Sequence, residues 1–192
     1  IWQPDAEAVG GDALASVPIV TVDLLEEFVM PYTQRMAKKI GNAYSAGYWG
    51  YSFLADKPEK FRKMLELMSS VATVLACYDP DVQKTGPEPY VEFAVGKGIP
   101  LMLGLDSVTL REGPVEKIAD RCRRYVQAAR ETKRFMMFLN DIAVDTPTEH
   151  VHAAVAAIRH FGRHPIGDLP LESFQMPSAT ESFVAFMRRY GN

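Results

Sequence analysis

The stretch from Leu101 to Phe161 constrains the fold most, because it alternates between strand, loop and helix patterns twice in succession. Gly113-Pro114 breaks the chain before the first helix, where the missing N–H of a proline costs nothing. The second helix follows Thr146-Pro147-Thr148-Glu149, which predicts a capping box with Pro147 at the first helical position. This alternation is the repeating unit of an α/β barrel, in which the chemistry lies on the loops after the strands.

The same alternation extends towards the N-terminus. Three apolar runs predict buried parallel strands at residues 71–78, 99–105 and 134–139. A shorter run of small and aromatic residues predicts one more strand at residues 43–49. Helical patterns cover residues 22–40, 58–68 and 88–95, and Pro31 is expected to kink or divide the first of them. With Ile1-Trp2 as the stump of a fifth strand, the strands are too few to close a barrel of eight. We therefore predict part of a (β/α)8 TIM barrel, whose remaining strands lie either in a missing N-terminal part or in another chain, with an open doubly wound sheet as the alternative.

Composition favours a globular protein. The 192 residues are 47% hydrophobic and 23% charged, with a net charge of −3, which offers no basic surface for nucleic acid. We expect neither a membrane span nor a secretory signal. Cys77 and Cys122 lack metal-ligand spacing and favour a reduced, cytoplasmic setting. The predicted organisation is one barrel domain over residues 1–164, followed by a linker and an amphipathic helix over 165–192.

Polar residues stand at the ends of two predicted strands. Asp106 ends one of them, and Asn140-Asp141 ends the next. Because barrel enzymes place their catalytic residues at strand ends, we predict that Asp106, Asn140 and Asp141 are catalytic. The structural alternative is that these residues shape turns, for which Asp and Asn are well suited.

A second group of residues suits substrate binding. Tyr48 and Trp49 could form an aromatic wall for a flat ligand, although aromatic residues in a barrel also serve packing. Cys77 and Asp79 stand at the end of another predicted strand and directly after it. A thiol there could act as a nucleophile or a ligand, or be a small buried side chain. The four histidines have no carboxylate or thiol spaced to join them, so we predict no metal site.

Three segments resemble the C-terminal portion of the uroporphyrinogen decarboxylase superfamily. They are EEFVMPYTQRM, GIPLMLGLDSVTLREGPVEKI and NDIAVDTPTEHVHAAVAAIRHFG, at residues 26–36, 98–118 and 140–162. That superfamily includes the haem-pathway decarboxylase and zinc-dependent methyltransferases that serve corrinoid proteins and coenzyme M. The resemblance covers residues 5–162 and implies that this chain is the C-terminal portion of a (β/α)8 TIM barrel of uroporphyrinogen decarboxylase type, with about four to five of its strands. The stretch DAEAVGGDALAS at residues 5–16 is more similar to the methyltransferase branch, where an acidic and small-residue loop follows a strand.

The resemblance departs at the residues that carry the family's chemistry. Asn140 stands where the decarboxylase has a histidine and the methyltransferases have a zinc-binding cysteine, and an amide is a poor zinc ligand. The family's His-x-Cys-Gly motif corresponds to Gly47-Tyr48-Trp49-Gly50, which has neither imidazole nor thiolate. The residues therefore argue against zinc, and no cofactor is evident in this chain.

Three functional hypotheses follow. The first is a methyltransferase that moves a methyl group between a small organic substrate and a corrinoid protein. Asp141 or Asp106 would donate the proton, and Tyr48 and Trp49 would pack an aromatic substrate. The second is decarboxylation of a pyrrole acetate, which predicts basic residues facing the pocket, whereas the visible strand ends are acidic or neutral. The third is a non-catalytic subunit that completes a barrel with another chain.

Overall fold

The computed structural model describes residues 10–14, 19–40, 44–132 and 134–177, without the side chains of residues 10–14 and 44–47. The chain divides into two compact units. One contains residues 1–106 and 128–141, and the other contains residues 107–127 and 142–192. Within the described ranges, every helix is too short or too polar to cross a membrane.

The first unit contains a five-stranded parallel sheet whose strands pair in chain order. The strands are β1 (Gly10–Leu14), β2 (Tyr44–Tyr48), β3 (Leu75–Tyr78), β4 (Leu101–Asp106) and β5 (Phe135–Asn140). A doubly wound sheet reverses its strand order at a switch point, whereas a barrel wall does not. The predicted partial TIM barrel of four to five strands is therefore confirmed, and the doubly wound alternative is wrong.

The helices of this unit follow the strands. They are α1 (Val22–Leu24), α2 (Met30–Ile40), α3 (Pro58–Ser69), α4 (Asp81–Thr85) and α5 (Glu88–Lys97). Two 3₁₀ turns cover Tyr51–Leu54 and Ala129–Glu131. The buried face of α3 is the predicted one, made of Phe61, Met64, Leu65 and Met68.

Pro31 does not divide the first helix. A π-helical turn at Leu25–Val29 joins α1 to α2 and ends two residues before Pro31. Proline has no N–H for the bond to the carbonyl four residues earlier, so a regular α-helix is interrupted there. The wider π turn takes up that irregularity while the chain continues in the helix.

Two strand predictions differ from the structure. β3 begins at Leu75, not at Val71, because the Val71 and Ala72 N–H groups donate to the Met68 carbonyl and close the end of α3. β1 falls within the stretch 5–16, for which the resemblance implied a loop after a strand. The predicted stump at Ile1-Trp2 lies outside the described residues.

The second unit is helical in its described part, with α6 (Ser107–Glu112), α7 (Val115–Ala128), α8 (Thr148–Phe161) and a 3₁₀ turn at Leu171–Ser173. The predicted capping box is wrong. Pro147 has an extended backbone (ψ 131°), so α8 begins one residue later than expected, without a side-chain cap. The Thr146 hydroxyl is buried without a hydrogen-bond partner in the described part of the chain. The predicted final helix lies outside the described residues, and the division at residue 164 stays a prediction.

Candidate functional site

One face of the sheet carries aromatic side chains in a line across neighbouring strands. The strand register pairs Tyr78 with Gly104 and Gly104 with Phe138. A Cβ atom at Gly104 would lie 2.7 Å from Phe138 Cε1 and 3.0 Å from Tyr78 Cδ1, so both rings lie on the face to which that Cβ would point. Trp49, directly after β2, stacks on Tyr78 with ring centroids 4.7 Å apart and planes at 16°. We name Trp49, Tyr78 and Phe138 the aromatic row, and this side of the sheet the open face.

The rings of the aromatic row have defined orientations. Phe138 meets Tyr78 edge to face, at 5.4 Å between centroids and 84° between planes. The absence of a side chain at Gly104 lets the Phe138 ring lie against the β4 backbone. Burial raises the pKa of the Tyr78 phenol, and the neighbouring Cys77 raises it further, so the hydroxyl stays protonated at neutral pH. The row is therefore an uncharged aromatic surface.

Polar side chains stand one step above the aromatic row. Side chains alternate between the two faces of a strand, so residues two positions apart share a face. Asp106 and Asn140 lie two positions beyond Gly104 and Phe138, pair with each other in register, and are half-buried. A carboxyl group and an amide thus lie side by side at the carboxyl ends of β4 and β5, where barrel enzymes place their chemistry.

Methionine side chains stand one step below the row. Met102 and Met136 pair in register two positions before Gly104 and Phe138, and they are half-buried and exposed, respectively. The open face therefore has three layers, namely methionine, aromatic and polar, as the layered interior of a barrel would have.

The opposite side of the sheet faces helices and is closed. The Tyr48 ring packs edge to face on Tyr51 at 4.8 Å, and Tyr51 contacts Phe61 of α3 and Tyr90 of α5. Cys77 precedes Tyr78, points to the other face and is fully buried. The structure therefore does not bring Tyr48 and Cys77, both predicted to bind substrate, to the open face. Burial also raises the pKa of the Cys77 thiol well above its usual value, whereas a nucleophilic thiol requires a lowered one.

A buried carboxylate anchors the turn that holds Trp49. Asp81, at the start of α4, accepts backbone N–H bonds from Gly50, Tyr51 and Ser52 at 2.6, 3.1 and 3.1 Å. Gly50 has φ 127°, a conformation that favours glycine over other residues. The predicted site residue Asp79 is also buried, and its backbone N–H donates to the Gly104 carbonyl at 3.0 Å.

Asp141, the third predicted catalytic residue, lies one position beyond β5 and is exposed. Its φ of 59° makes it the one non-glycine residue with a positive φ in the described part of the chain. Asp tolerates this left-handed conformation better than most side chains. The backbone of Asp141 therefore shapes the loop that follows Asn140, and this role is separate from the predicted catalytic role of its carboxylate.

Zinc does not fit the residues present. Among the described residues there is no group of three or more His, Cys, Asp or Glu side chains that could hold a metal ion. Asn140 and Trp49 occupy the positions where the resemblance implies thiolate or imidazole ligands, and neither residue supplies one.

The sequence patterns did not single out Tyr78, Gly104, Phe138 or Asp81. A strand buried on both faces shows no alternation between apolar and polar residues, so its faces are not distinguishable from composition. The alternation of side chains along a strand could have identified two of them. Gly104 and Phe138 lie two positions before Asp106 and Asn140, so they share the same face of the sheet. Asp81 gave no local signal, since its partners lie about thirty residues earlier in the chain.

Residues 4–161 match the sequence profile of the uroporphyrinogen decarboxylase (URO-D) family. No curated protein sequence matches the chain. A solved structure described as a methyltransferase from Methanosarcina mazei is similar, with a TM-score of 0.60 and 22% sequence identity. The similarity covers 79% of this chain and 41% of that chain, so the present chain spans about two fifths of the methyltransferase's length. At this level of identity the likeness shows a shared fold.

Proposed function

Because the chain belongs to the uroporphyrinogen decarboxylase family, we propose that it is a methyltransferase that moves a methyl group between a small organic substrate and a corrinoid on a partner protein. The observation that carries this proposal is the register pair Asp106 and Asn140 above the aromatic row. A proton donor and an orienting amide beside an apolar surface are the groups that methyl transfer from a heteroatom requires. The fold likeness to a methyltransferase adds support.

The proposed chemistry assigns each layer a role. When a methyl group leaves a heteroatom, that atom keeps the bonding electron pair and needs a proton. Asp106 supplies this proton as a general acid, and the Asn140 amide holds the substrate's polar group in line. The aromatic row packs the apolar part of the substrate and excludes water. No step passes through zinc, because the donor set does not fit it.

The test is a methyl-transfer assay with methylated small molecules, a reduced corrinoid protein and the full chain with whatever copurifies. Asp106→Asn keeps the shape of the side chain but removes the acid, so we expect the rate to fall about 10²- to 10⁴-fold. Asp56→Asn is the matched control, because its side chain is 79% exposed in a loop. An Asp106→Asn variant with the full rate of methyl transfer would contradict the role of Asp106, and no transfer by the unmodified protein would contradict the function.

Porphyrinogen decarboxylation is the less favoured chemistry. A porphyrinogen carries several carboxylates, and its decarboxylation predicts basic residues facing the pocket. The described side chains of the open face are aromatic, thioether, amide or acidic. Carbon dioxide release from a porphyrinogen in a parallel assay would reverse this preference.

A non-catalytic subunit that completes a barrel with another chain is the second candidate function. The two edge strands of the described sheet favour it, because each could pair with a further strand. β1 and β5 each pair with a single neighbour in that sheet, whereas every strand of a closed eight-stranded barrel has two. Native mass spectrometry of the purified material distinguishes the two readings. A constant second polypeptide, with no loss of activity in Asp106→Asn, would favour the subunit role.

A further inference from the structure

We propose that a cleft between α3 and α5 binds a small carboxylate with an apolar body. The cleft has a volume of about 450 Å³, within the range of about 300–1,000 Å³ that is typical of small-molecule sites. It lies among the helices, whereas the residues of the proposed methyl-transfer site lie on the open face of the sheet. The cleft is therefore a separate site, and this inference does not depend on the proposed function.

Both helices present a face of the same pattern to the cleft. The spacing is i, i+3, i+4 and i+7, which places four residues on one side of a helix. On α3 these residues are Pro58, Phe61, Arg62 and Leu65. On α5 they are Pro89, Glu92, Phe93 and Gly96. At a rise of about 1.5 Å per residue, the cleft runs along both helices for about 10 Å.

The floor of the cleft is apolar. Phe61, Leu65 and Phe93 line it and are buried. The Phe61 ring also contacts the Tyr90 ring of α5, with centroids 5.4 Å apart, and this contact holds the two helices together. Because removal of apolar surface from water is favourable, such a floor binds the apolar part of a ligand.

Gly96 keeps one end of the cleft open. It occupies the position on α5 that corresponds to Leu65 on α3, and a Cβ atom there would meet no atom within 4 Å. Glycine inside a helix lowers stability relative to alanine, so the helix itself gains nothing from it. The missing side chain leaves space that a bound group can occupy.

The charged groups at the rim favour an anion. Arg62 and Lys97 line the cleft from opposite helices, and Glu92 adds one negative charge. The Lys97 ammonium lies 5.7 Å from the centre of the Phe93 ring, so it stands over the floor. The Arg62 guanidinium makes an exposed contact with Glu66 at 3.4 Å, which is a weak interaction in water. The lining therefore carries a net positive charge, which is complementary to a carboxylate.

A carboxylate suits two cations better than a single-atom anion does. Its two oxygens can accept hydrogen bonds from a guanidinium and an ammonium at once, and such charge-assisted bonds are stronger than neutral ones. The apolar body of the same molecule then lies on the rings of Phe61 and Phe93. Aromatic bodies gain further from stacked or edge-to-face contacts with these rings, so an arylalkyl carboxylate is the best probe.

Isothermal titration calorimetry of the full chain with phenylbutanoate measures this binding directly. Phenylbutanol has the same body without the charge, and phenylbutylamine carries the opposite charge. At low ionic strength we expect the carboxylate to bind at least about fivefold more tightly than the alcohol, and the amine to bind most weakly. Equal affinities for the carboxylate and the alcohol, or no binding of the carboxylate, would overturn the inference.

Substitutions in the cleft locate the ligand. Gly96→Leu should weaken phenylbutanoate at least about tenfold, because its side chain fills the open end. This variant should remain folded, since leucine is a strong helix former and its Cβ has space. Full affinity in Gly96→Leu would overturn the inference, and circular dichroism confirms that each variant is folded.

The charged residues give effects of opposite sign, which a purely structural role would not produce. Lys97→Gln removes an attractive charge and should weaken phenylbutanoate about threefold or more. Glu92→Gln removes a repulsive charge and should strengthen binding about twofold. Lys39→Gln, the same change at an exposed residue of α2, should leave the affinity unchanged. Losses of similar size in Lys97→Gln and Lys39→Gln would contradict the cleft as the anion site.

A variant of the open face separates the two sites. Phe138→Leu alters the aromatic row but not the cleft, so it should bind phenylbutanoate with unchanged affinity. Weaker binding in Phe138→Leu, together with full affinity in Gly96→Leu, would place the carboxylate on the open face and overturn the inference.

Discussion

At the scale of single residues, Asp141 holds a conformation that most side chains avoid. Its φ of 59° lies directly after the last residue of β5, so it fixes the direction in which the loop leaves Asn140. Asn140 itself continues the strand, and its position follows from the register with Asp106. Strand pairing therefore positions Asn140, whereas a left-handed backbone conformation positions Asp141.

Asp141 permits a direct test of this backbone role. A Cβ in the left-handed region costs about 1–2 kcal/mol, and glycine avoids that cost. We expect Asp141→Ala to have a free energy of unfolding about 1 kcal/mol below that of Asp141→Gly, measured by urea denaturation. If both variants stay folded and both lose methyl transfer, the carboxylate acts in catalysis as well. Equal stabilities of the two variants would show that the loop does not impose the left-handed conformation.

Cys77 and Tyr51 link stability to pH. Burial raises the pKa of both groups in the folded chain, above the ordinary values of 9.0 for Cys and 10.0 for Tyr. Below about pH 8 both groups are protonated in the folded and the unfolded chain, so they do not change the stability with pH. Above about pH 8 the unfolded chain releases protons that the folded chain keeps, first from Cys77 and then from Tyr51, and stability falls as the pH rises.

We expect these two groups to leave the urea midpoint unchanged up to about pH 8 and to lower it progressively between about pH 8 and 11. Cys77→Ala removes the thiol and should make the decrease shallower. The fully buried Cys77 and Cys122 thiols should also resist iodoacetamide at pH 8 until urea unfolds the protein. Rapid labelling of native Cys77 would contradict both the burial and the raised pKa.

At the scale of elements, the turn after β2 depends on α4. Asp81 satisfies the N–H groups of Gly50, Tyr51 and Ser52, which begin the 3₁₀ turn. Such orphan donors at the start of a helical turn require an acceptor when they are buried. The carboxylate therefore holds the turn in which Trp49 stacks on Tyr78.

Removal of this acceptor should destabilise the fold strongly. Asp81→Ala leaves buried N–H groups without their partner, and hydrogen bonds to a charged group contribute about 1.5–3 kcal/mol each. We expect a loss of about 3 kcal/mol or more in urea denaturation, and a change in Trp49 fluorescence. Asp23→Ala is the control, because Asp23 is an exposed carboxylate that pairs with Lys60, and its loss should be much smaller. Similar losses in the two variants would show that Asp81 does not anchor the turn.

The helices and strands themselves were largely predictable. Three apolar runs and one run of small and aromatic residues predicted four of the strands to within a few residues, and the Pro58 helix buries its predicted face. The errors arose where backbone geometry overrode a sequence motif. Pro147 is extended, so the capping box does not form. Of the two outcomes expected at Pro31, a kink or a division, the division does not occur, because a π turn carries the helix past it.

At the scale of the whole molecule, the aromatic row couples strands that are distant in sequence. A Cβ at Gly104 of β4 would lie 2.7 Å from the Phe138 ring of β5 and 3.0 Å from the Tyr78 ring of β3. Gly104→Ala should therefore cost about 1–3 kcal/mol of stability through displacement of the rings. The same change at Gly96 of α5 meets no atom within 4 Å and should stabilise its helix by about 0.5–1 kcal/mol.

The coupling is measurable as a double-mutant cycle. Phe138→Leu replaces the ring that the methyl group of Gly104→Ala would contact with a smaller side chain. The loss in free energy of unfolding caused by Gly104→Ala should therefore be smaller in that background. Urea denaturation of both single variants and the double variant gives the interaction energy. Strict additivity would show that the Phe138 ring does not lie against β4 at Gly104.

The sequence by itself determined the partial barrel, the family and the strand ends at which Asp106 and Asn140 stand. Local apolar runs, turn residues and family segments carry that information. Only the tertiary structure decided which residues meet. It placed Asp106 beside Asn140, assembled the aromatic row, and turned Tyr48 and Cys77 to the helix side of the sheet. The physical reason is that strand register and side-chain facing arise from pairing between distant segments, and doubly buried strands show neither in their composition.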